Sequence, residues 1–222
     1  MRVLPYDLRL IEEYEKREER KPIDLGYFIV VGIFLGALVT SQFQCVKICR
    51  IGFLVFPAGA IAYAVTFLCT DIISEVYGRR ASSMAVVAGF TANIALIVLL
   101  YTGLILPPLA ASYQEKYSIL MFTPRIVAAS LAAYLISQTH DVLAFHYWKA
   151  RTQGRWLWLR NNASTMVSQA IDTIIFITLG FAGVVSFRTL LQMIASHYTI
   201  KFLCALCDTP FCYLGAWLLR RH

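Results

Sequence analysis

The chain has 222 residues, of which 59% are hydrophobic and only 15% are charged, and its formal net charge is +7. Soluble domains usually contain about 45–50% apolar and about 25% charged residues, so this composition excludes an ordinary soluble protein. The basic residues lie in short connectors between long apolar runs, which indicates orientation in a membrane rather than direct binding to a nucleic acid. We therefore interpret the chain as an integral membrane protein.

A charged segment comes first and precedes the apolar runs. Residues 1–25 mix glutamates with lysines and arginines, so we expect a solvated cytosolic arm with a helix in it. Residues 26–222 are predicted to form an all-α transmembrane domain, because runs of about 20 apolar residues match the thickness of a bilayer. Six helices are expected near 26–44, 53–77, 82–106, 125–147, 163–186 and 199–219.

The first predicted helix contains a GxxxG pattern at Gly32 and Gly36. This pattern lets two helices approach closely in a membrane. We expect it to pack within the chain rather than against a second copy.

The distribution of basic residues predicts the orientation of the helices. With the N-terminus inside, 14 of the 20 lysines and arginines fall in cytosolic segments and 6 in outer segments. Cytosolic connectors of membrane proteins carry an excess of these residues. We therefore predict a multi-pass protein of the cell membrane with both termini in the cytosol.

Four aspartates fall at a similar depth in four different spans. At a rise of 1.5 Å per residue, Asp71 and Asp141 lie about 12 Å, and Asp172 and Asp208 about 18 Å, from the basic residues at the cytosolic helix ends. The midplane of a bilayer lies about 15 Å from either edge of its hydrocarbon core. A buried charge in a membrane needs a partner or a polar cavity, so we predict a shared site near the midplane.

Two neighbouring spans carry the same polar pattern. Residues 137–145 and 168–176 both read S-Q-x-x-D-x-x-x-F, which places a glutamine and an aspartate together on one helical face. The two pairs are Gln138 with Asp141 and Gln169 with Asp172. A carboxylate accepts two adjacent N–H bonds, as on a guanine-like edge, so the pattern favours a cationic or purine-like solute.

Two further side chains accompany these carboxylates. Glu75 lies one turn beyond Asp71 and is either part of the site or an interfacial residue near Arg79 and Arg80. His140 precedes Asp141, and a proton relay through the two would suit a coupled carrier.

Enzyme motifs do not occur in the sequence. It contains neither HExxH nor GxSxG, and the Cys204-x-x-Cys207 pair has no second ligand pair nearby. We therefore predict no catalytic residues, no metal and no cofactor. Two alternatives are kept: a substrate-binding subunit for another polar solute or vitamin that depends on an energising partner, and a membrane enzyme acting on a lipid or isoprenoid.

Four blocks occur in a characteristic order: FPAGAIAYAVTFLCTDIISEVYGRR (56–80), QTHDVLAFHYWK (138–149), LWLRNNASTMVSQAIDTIIFITLGF (157–181) and KFLCALCDTP (201–210). Together they resemble the queuosine precursor transporter family, also called the vitamin uptake transporter family. The resemblance covers roughly residues 26–220. It implies an architecture similar to the substrate-binding components of energy-coupling-factor transporters. It also implies import of queuine, or of its 7-cyano or 7-aminomethyl 7-deazaguanine precursors, for tRNA queuosine salvage.

The resemblance also implies site residues by position. The matching polar residues are Thr70, Asp71, Glu75, Tyr77, Gly78, Gln138, Asp141, Arg160, Asn161, Asn162, Ser164, Thr165, Gln169, Asp172, Lys201, Thr209 and Pro210. Substrate binding is expected from Asp71, Glu75, Gln138, Asp141, Gln169 and Asp172. Among these, the two Gln–Asp pairs would bind the guanine-like edge, and Asp71 or Glu75 would receive an amine.

Supporting or gating roles are expected for His140, Arg160, Asn161, Asn162, Thr165, Lys201 and Asp208. For Asn161 and Asn162, capping of the fifth helix is the favoured alternative. A homo-oligomer or an energising partner is left open.

Overall fold

The computed structural model describes residues 6–18, 20–45, 47–51, 54–118 and 124–221. Within these ranges the helices and strands are α1 Leu8–Arg17, α2 Leu25–Gln44, β1 Ile48–Ile51, β2 Leu54–Pro57, α3 Gly59–Val76, α4 Arg79–Ile105, α5 Ala111–Ser118, α6 Pro124–Arg151, α7 Leu157–Phe181 and α8 Phe187–Arg221. Six of the helices, α2, α3, α4, α6, α7 and α8, are long and apolar enough to cross a membrane. The prediction of six transmembrane helices is therefore confirmed.

The segment before α3 is a β-hairpin rather than the start of a helix. Strands β1 and β2 pair antiparallel, with Cys49 opposite Phe56 and Arg50 opposite Val55. The predicted span 53–77 is therefore too long at its first end, and residue 53 itself lies outside the described residues. Short apolar runs do not distinguish a strand from a helix by periodicity, which explains the error.

The last two spans, in contrast, begin earlier than predicted. Helix α7 starts at Leu157, and α8 runs for 35 residues from Phe187 with Pro210 inside it. A helix of that length measures about 52 Å, longer than a bilayer core of about 30 Å. Its first turns contain Arg188, Gln192 and His197, whose polarity resembles a connector although the backbone there is helical.

The turn between α3 and α4 depends on a glycine. Gly78 has φ +85°, a left-handed conformation that side-chain-bearing residues rarely adopt. This turn joins two long helices through two residues, Tyr77 and Gly78, and brings the end of α3 against the N-terminal segment. A Cβ at Gly78 would lie 2.9 Å from the Arg20 side chain.

The N-terminal arm contains the expected helix, but one face of this helix packs against the bundle, so it is not solvated on all sides. Helix α1 lies against α6, and its Ile11 is fully buried. Glu15 pairs with Arg79 at 3.0 Å, and Glu18 pairs with Lys149 at 2.7 Å. Of the predicted arm, residues 1–5 and 19 lie outside the described residues. We call the end of the bundle covered by this helix the α1 end, and the opposite one the hairpin end.

The link between α1 and α2 is fastened to the same end. Lys21 donates a hydrogen bond to the Leu219 carbonyl at 2.6 Å and pairs with Asp24 at 2.6 Å, and the Tyr77 hydroxyl donates to Asp24 at 2.6 Å. The Lys21 ammonium, followed by the Tyr77 hydroxyl, holds the pKa of the Asp24 carboxyl well below its usual range. Asp24 also accepts a hydrogen bond from the Tyr27 backbone and so caps α2.

The close helix contact of α2 is not where the GxxxG pattern predicts it. A Cβ at Gly32 or Gly36 would meet no atom within 4 Å, so the prediction that this pair packs within the chain is wrong. The close approach lies instead at Gly59 of α3. A Cβ there would lie 2.3 Å from the Ser41 carbonyl oxygen and 2.6 Å from the Cys45 Sγ.

We expect Gly59→Ala to destabilise the protein and Gly36→Ala to leave its stability unchanged. The added methyl at position 59 would press on the backbone of α2, which cannot rotate away as a side chain can. Overpacking of this kind costs about 1–3 kcal/mol. Thermal unfolding of the two purified variants in detergent provides the measurement, and equal unfolding midpoints would contradict the prediction.

Candidate functional site

A cavity of about 470 Å³ opens at the hairpin end of the bundle. Its size falls within the range of about 300–1,000 Å³ that small-molecule sites occupy. Most of its lining is apolar, including Phe56, Phe176 and Phe181. Its polar lining residues are Ser41, Gln42, Tyr63, Asn93, Ser130, Asp172, His197 and Lys201. An apolar cavity with a few polar groups is typical of a binding site for a small organic molecule.

A charged pair faces this cavity. The Lys201 Nζ lies 2.5 Å from Asp172 Oδ2, and the hydroxyl groups of Tyr63 and Ser137 donate to Asp172 Oδ1 at 2.8 Å and 3.1 Å. The ammonium also lies 4.7 Å from the centre of the Tyr63 ring, within the range of a cation–π contact. Four helices, α3, α6, α7 and α8, therefore hold one ion pair in place.

This pair offers complementary hydrogen bonding to a flat polar ligand. A carboxylate has about four lone-pair sites, so Asp172 retains capacity beyond the hydrogen bonds that it already accepts. An ammonium group can donate to a ring carbonyl or ring nitrogen of the same ligand. Tyr63 and Phe176 supply aromatic surface beside the pair.

Asp71 and Asp141 lie deeper, between the cavity and the α1 end. Asp71 is 1% exposed and Asp141 is 0% exposed, and neither lines the cavity. The Thr165 hydroxyl donates to Asp71 Oδ2 at 2.9 Å. The carboxyl groups of the two aspartates lie within hydrogen-bond reach of each other. Helix depth alone predicts that both share one site with Asp172, whereas the structure separates them from it.

The two glutamines of the repeated pattern have different surroundings. Gln138 Nε2 donates to Thr66 Oγ1 at 3.1 Å, and Thr70 Oγ1 donates to Gln138 Oε1 at 3.3 Å, so this amide joins α6 to α3. Gln169 is fully buried, and its amide has no hydrogen-bond partner among the described residues. Of the six predicted substrate-binding residues, Asp172 lines the cavity; contact of the other five with substrate stays a prediction.

Glu75 lies at the α1 end in a cluster of cations. Arg160 donates to its Oε2, Arg220 Nη2 lies 2.5 Å from its Oε1, and Lys149 Nζ lies 3.3 Å from its Oε2. Arg79 pairs with Glu15 of α1 rather than with Glu75, and both alternatives for Glu75, a substrate residue or an interfacial residue, stay predictions.

The predicted gating residues fall into several environments. His140 contacts the Tyr6 hydroxyl through Nε2 and the Ser168 hydroxyl through Nδ1, both at 2.8 Å. Asp208 on α8 is half-buried and lies outside the cavity lining. Their gating roles stay predictions.

Asn161 and Asn162 do not cap a helix, so that alternative is wrong. Helix α7 begins at Leu157, which places both residues inside it. Asn162 Nδ2 donates to the Trp158 carbonyl at 2.8 Å and to Thr209 Oγ1 at 2.7 Å. The Asn161 amide is buried without a hydrogen-bond partner among the described residues.

Two contributors to these sites were missed by sequence reasoning. Lys149 counts among the basic residues of the predicted cytosolic segments, yet it is 2% exposed and joins Glu75 to Glu18. Ser137 is only the first residue of the repeated pattern in the sequence analysis, and its bond to Asp172 links the two repeated patterns directly. The shared S-Q-x-x-D pattern could have indicated the Ser137–Asp172 contact, because it places these two residues on neighbouring helices.

Comparison with known proteins identifies the family. The family model described as "Putative vitamin uptake transporter" matches residues 57–215. The chain is 32% identical over 192 residues to the "Probable queuosine precursor transporter" of Bacillus subtilis (strain 168), covering 85% of this chain and 82% of that protein. It is 28% identical over 130 residues to the "Queuosine precursor transporter" of Escherichia coli (strain K12), covering 55% and 54%.

No solved structure matches the chain. The matched family and both relatives are described as transporters, which confirms the interpretation as a transporter rather than an enzyme. The four sequence blocks lie within or beside the matched region. The chain belongs to the vitamin uptake transporter family.

Proposed function

We propose that this protein imports a queuosine precursor, a 7-deazaguanine base, across the cell membrane for salvage into tRNA. The observation that carries the proposal is the buried Asp172–Lys201 pair facing a cavity of about 470 Å³. The names of the two relatives support the same substrate class. Queuine and the 7-cyano and 7-aminomethyl precursors share the guanine-like edge that such a pair would recognise.

In the proposed binding mode, the Asp172 carboxylate accepts one N–H of that edge at the lone pair that Tyr63, Ser137 and Lys201 leave free. A hydrogen bond to a carboxylate is charge-assisted. Lys201 donates to the neighbouring exocyclic oxygen. The base lies beside Tyr63 and Phe176, which supply apolar contact to its flat faces.

The direction of import follows from the proposed orientation with both termini in the cytosol. The cavity would then open to the outside, and the α1 end would form the closed cytosolic side. The ion pairs of Glu75, Glu15 and Glu18 hold that side together in the structure. Release of substrate requires a second state in which these contacts separate, as in alternating access.

The other predicted substrate residues lie along the way from the cavity to the α1 end. Gln169 is three residues from Asp172 on α7, and Asp141 lies nearer to the α1 end. Glu75 already has three cationic partners, which leaves Asp71 as the better candidate of the two for a substrate amine. A likeness to the substrate-binding components of energy-coupling-factor transporters remains part of this proposal.

The test uses cells that cannot make queuosine and lack their own importer but carry a salvage enzyme. The chain is expressed, and queuosine in tRNA is measured with queuine or either precursor supplied at a limiting concentration. Restored modification is the expected result, and the effective compound identifies the substrate. Glu115→Gln, on the exposed surface of α5, serves as the control that should restore modification equally.

An absence of modification, with the protein shown by fractionation to reach the membrane, would contradict the proposed substrate. Uptake by the purified protein alone in liposomes then separates two cases. Uptake without a partner supports a self-sufficient importer, whereas binding without uptake points to a substrate-binding subunit that needs an energising partner.

A further inference from the structure

Asp71 and Asp141 form a buried acidic pair that the substrate cavity does not include. Their carboxyl groups lie within hydrogen-bond reach of each other across α3 and α6. Thr165 donates to one oxygen of Asp71, while the other oxygen of Asp71 and both oxygens of Asp141 accept no hydrogen bond from the described residues. The pair therefore has unused acceptor capacity in a place without solvent.

Two of the other buried acids in the bundle, Asp172 and Glu75, have cations, whereas this pair has none among the described residues. Asp172 is paired with Lys201, and Glu75 with Arg160. When two carboxylates are in contact in a low-dielectric site, burial and like charge both disfavour the second negative charge, so one of the two is protonated in this closed state. One proton held between the two carboxyl groups satisfies both the charge and the missing hydrogen bond.

A line of polar side chains runs from this pair towards the α1 end, and its last two links, Ser168 to His140 and His140 to Tyr6, are hydrogen bonds. The Ser168 hydroxyl lies beside the Asp141 carboxyl. The same hydroxyl contacts His140 Nδ1 at 2.8 Å, and His140 Nε2 contacts the Tyr6 hydroxyl at 2.8 Å. Tyr6 is only half-buried, so its hydroxyl is the end of the route nearest to bulk water.

A polar position also connects the pair to the cavity. Gln169 lies one helical turn from Thr165, the residue that donates a hydrogen bond to Asp71. It also lies three residues from Asp172, which lines the cavity. Its amide is buried and has no hydrogen-bond partner among the described residues. Polar atoms are therefore present on both sides of the acidic pair.

The groups that surround the pair are mostly uncharged or already paired. Helix α7 presents the hydroxyl groups of Ser164, Thr165 and Ser168. The titratable groups facing the pair are His140 on α6, Asp208 and Cys212 on α8, Tyr6 before α1, and Glu75 on α3, which is paired with cations.

We propose that Asp71 and Asp141 bind one proton and couple import to a proton gradient, with Ser168, His140 and Tyr6 as the route of release to the cytosol. In release, the carboxyl O–H passes its proton to the Ser168 oxygen while the Ser168 hydroxyl proton moves to His140 Nδ1. His140 then gives up the proton on Nε2 through Tyr6 to water. This coupling rests on the proposed function, whereas the bound proton itself does not.

The first test measures the proton without any transport. Infrared spectroscopy of the reconstituted protein detects the carbonyl stretch of a protonated carboxylic acid. We expect such a band at neutral pH, and we expect Asp141→Asn and Asp71→Asn each to remove its pH-dependent component, while Glu115→Gln leaves it in place. Spectra of both variants identical to the wild type would overturn the bound proton.

The second test measures coupling in proteoliposomes with labelled 7-cyano-7-deazaguanine, whose uncharged form does not follow a pH gradient by itself. A pH difference of about one unit, alkaline inside, supports up to about tenfold accumulation for one proton per substrate. We expect this accumulation in the wild type and its loss in Asp141→Asn, with partial recovery in Asp141→Glu. Tyr6→Phe, which removes only the last hydroxyl of the route, should slow accumulation.

Exchange of labelled for unlabelled substrate at equal pH separates the two proposals. Without exchange of any 7-deazaguanine and without restored queuosine in the cellular test, the proposed function fails. With exchange but no response to the pH gradient, or with accumulation driven by sodium instead, the proton coupling fails while the function stands.

Discussion

Replacing Asp172 with asparagine will weaken substrate binding about 10- to 100-fold, because hydrogen bonds to charged groups contribute about 1.5–3 kcal/mol. The substitution preserves the shape of the side chain but removes the charge that Lys201 pairs with and that Tyr63 and Ser137 bond. An amide also presents one acceptor oxygen where a carboxylate presents two. Binding of labelled substrate to the purified variant, together with tRNA queuosine in cells, measures the effect.

The control for this prediction concerns folding. Asp172→Asn leaves the Lys201 ammonium, which is 2% exposed, without a counter-charge, and an unpaired buried charge destabilises a protein. The double variant Asp172→Asn/Lys201→Gln removes both charges, so we expect it to recover stability without recovering binding. A well-folded single or double variant that binds substrate like the wild type would contradict the assignment of Asp172.

Much of the fold follows from local sequence properties. Apolar runs of sufficient length predicted six spans, and basic connectors separated them. The boundaries of α3, α7 and α8 did not follow, because the pairing of β1 with β2 and the polar first turns of α8 are decided by tertiary packing. The mixed charges of the N-terminal arm do not show whether its glutamates face water or form ion pairs. In the structure Glu15 pairs with Arg79 and Glu18 with Lys149.

The sequence predicts how deep each acidic residue lies in the membrane, but it does not predict which of these residues lie next to one another. A rise of 1.5 Å per residue places each aspartate along its helix, and by that measure four of them share one level. Grouping also depends on rotation about each helix axis, which changes by about 100° per residue and requires the packed neighbours. In the structure Asp172 faces Lys201, Asp71 faces Asp141, and Asp208 lies apart.

Replacing Glu75 with glutamine should destabilise the protein strongly, because this side chain is the common partner of two buried cations. Its carboxylate receives Arg160, which is 1% exposed, and lies 3.3 Å from Lys149, which is 2% exposed. Removing one partner of a buried ion pair costs about 3–5 kcal/mol, because the remaining charge stays buried without compensation. Lys149 keeps Glu18 as a partner, so Arg160 carries most of this cost.

Arg220, the third cationic partner of Glu75, allows a matched comparison between an exposed and a buried ion pair. The Arg220 side chain is 58% exposed, and exposed ion pairs contribute only about 0–1 kcal/mol. We therefore expect Arg220→Gln to change the unfolding midpoint in detergent little, and Glu75→Gln and Arg160→Gln to lower it strongly. The double change Glu75→Gln/Arg160→Gln should cost less than the sum of the two, because it leaves no unpaired charge between them.

Two results would contradict this account of the α1 end. Equal midpoints for Glu75→Gln and Arg220→Gln would mean that burial does not set the strength of the cluster. A Glu75→Gln protein with unchanged stability but with lost binding of an amine-bearing precursor would instead make Glu75 the residue that receives the substrate amine. Because the cations around Glu75 come from α6, α7 and α8, which also form the cavity wall, a weakened cluster should also favour opening of the α1 end.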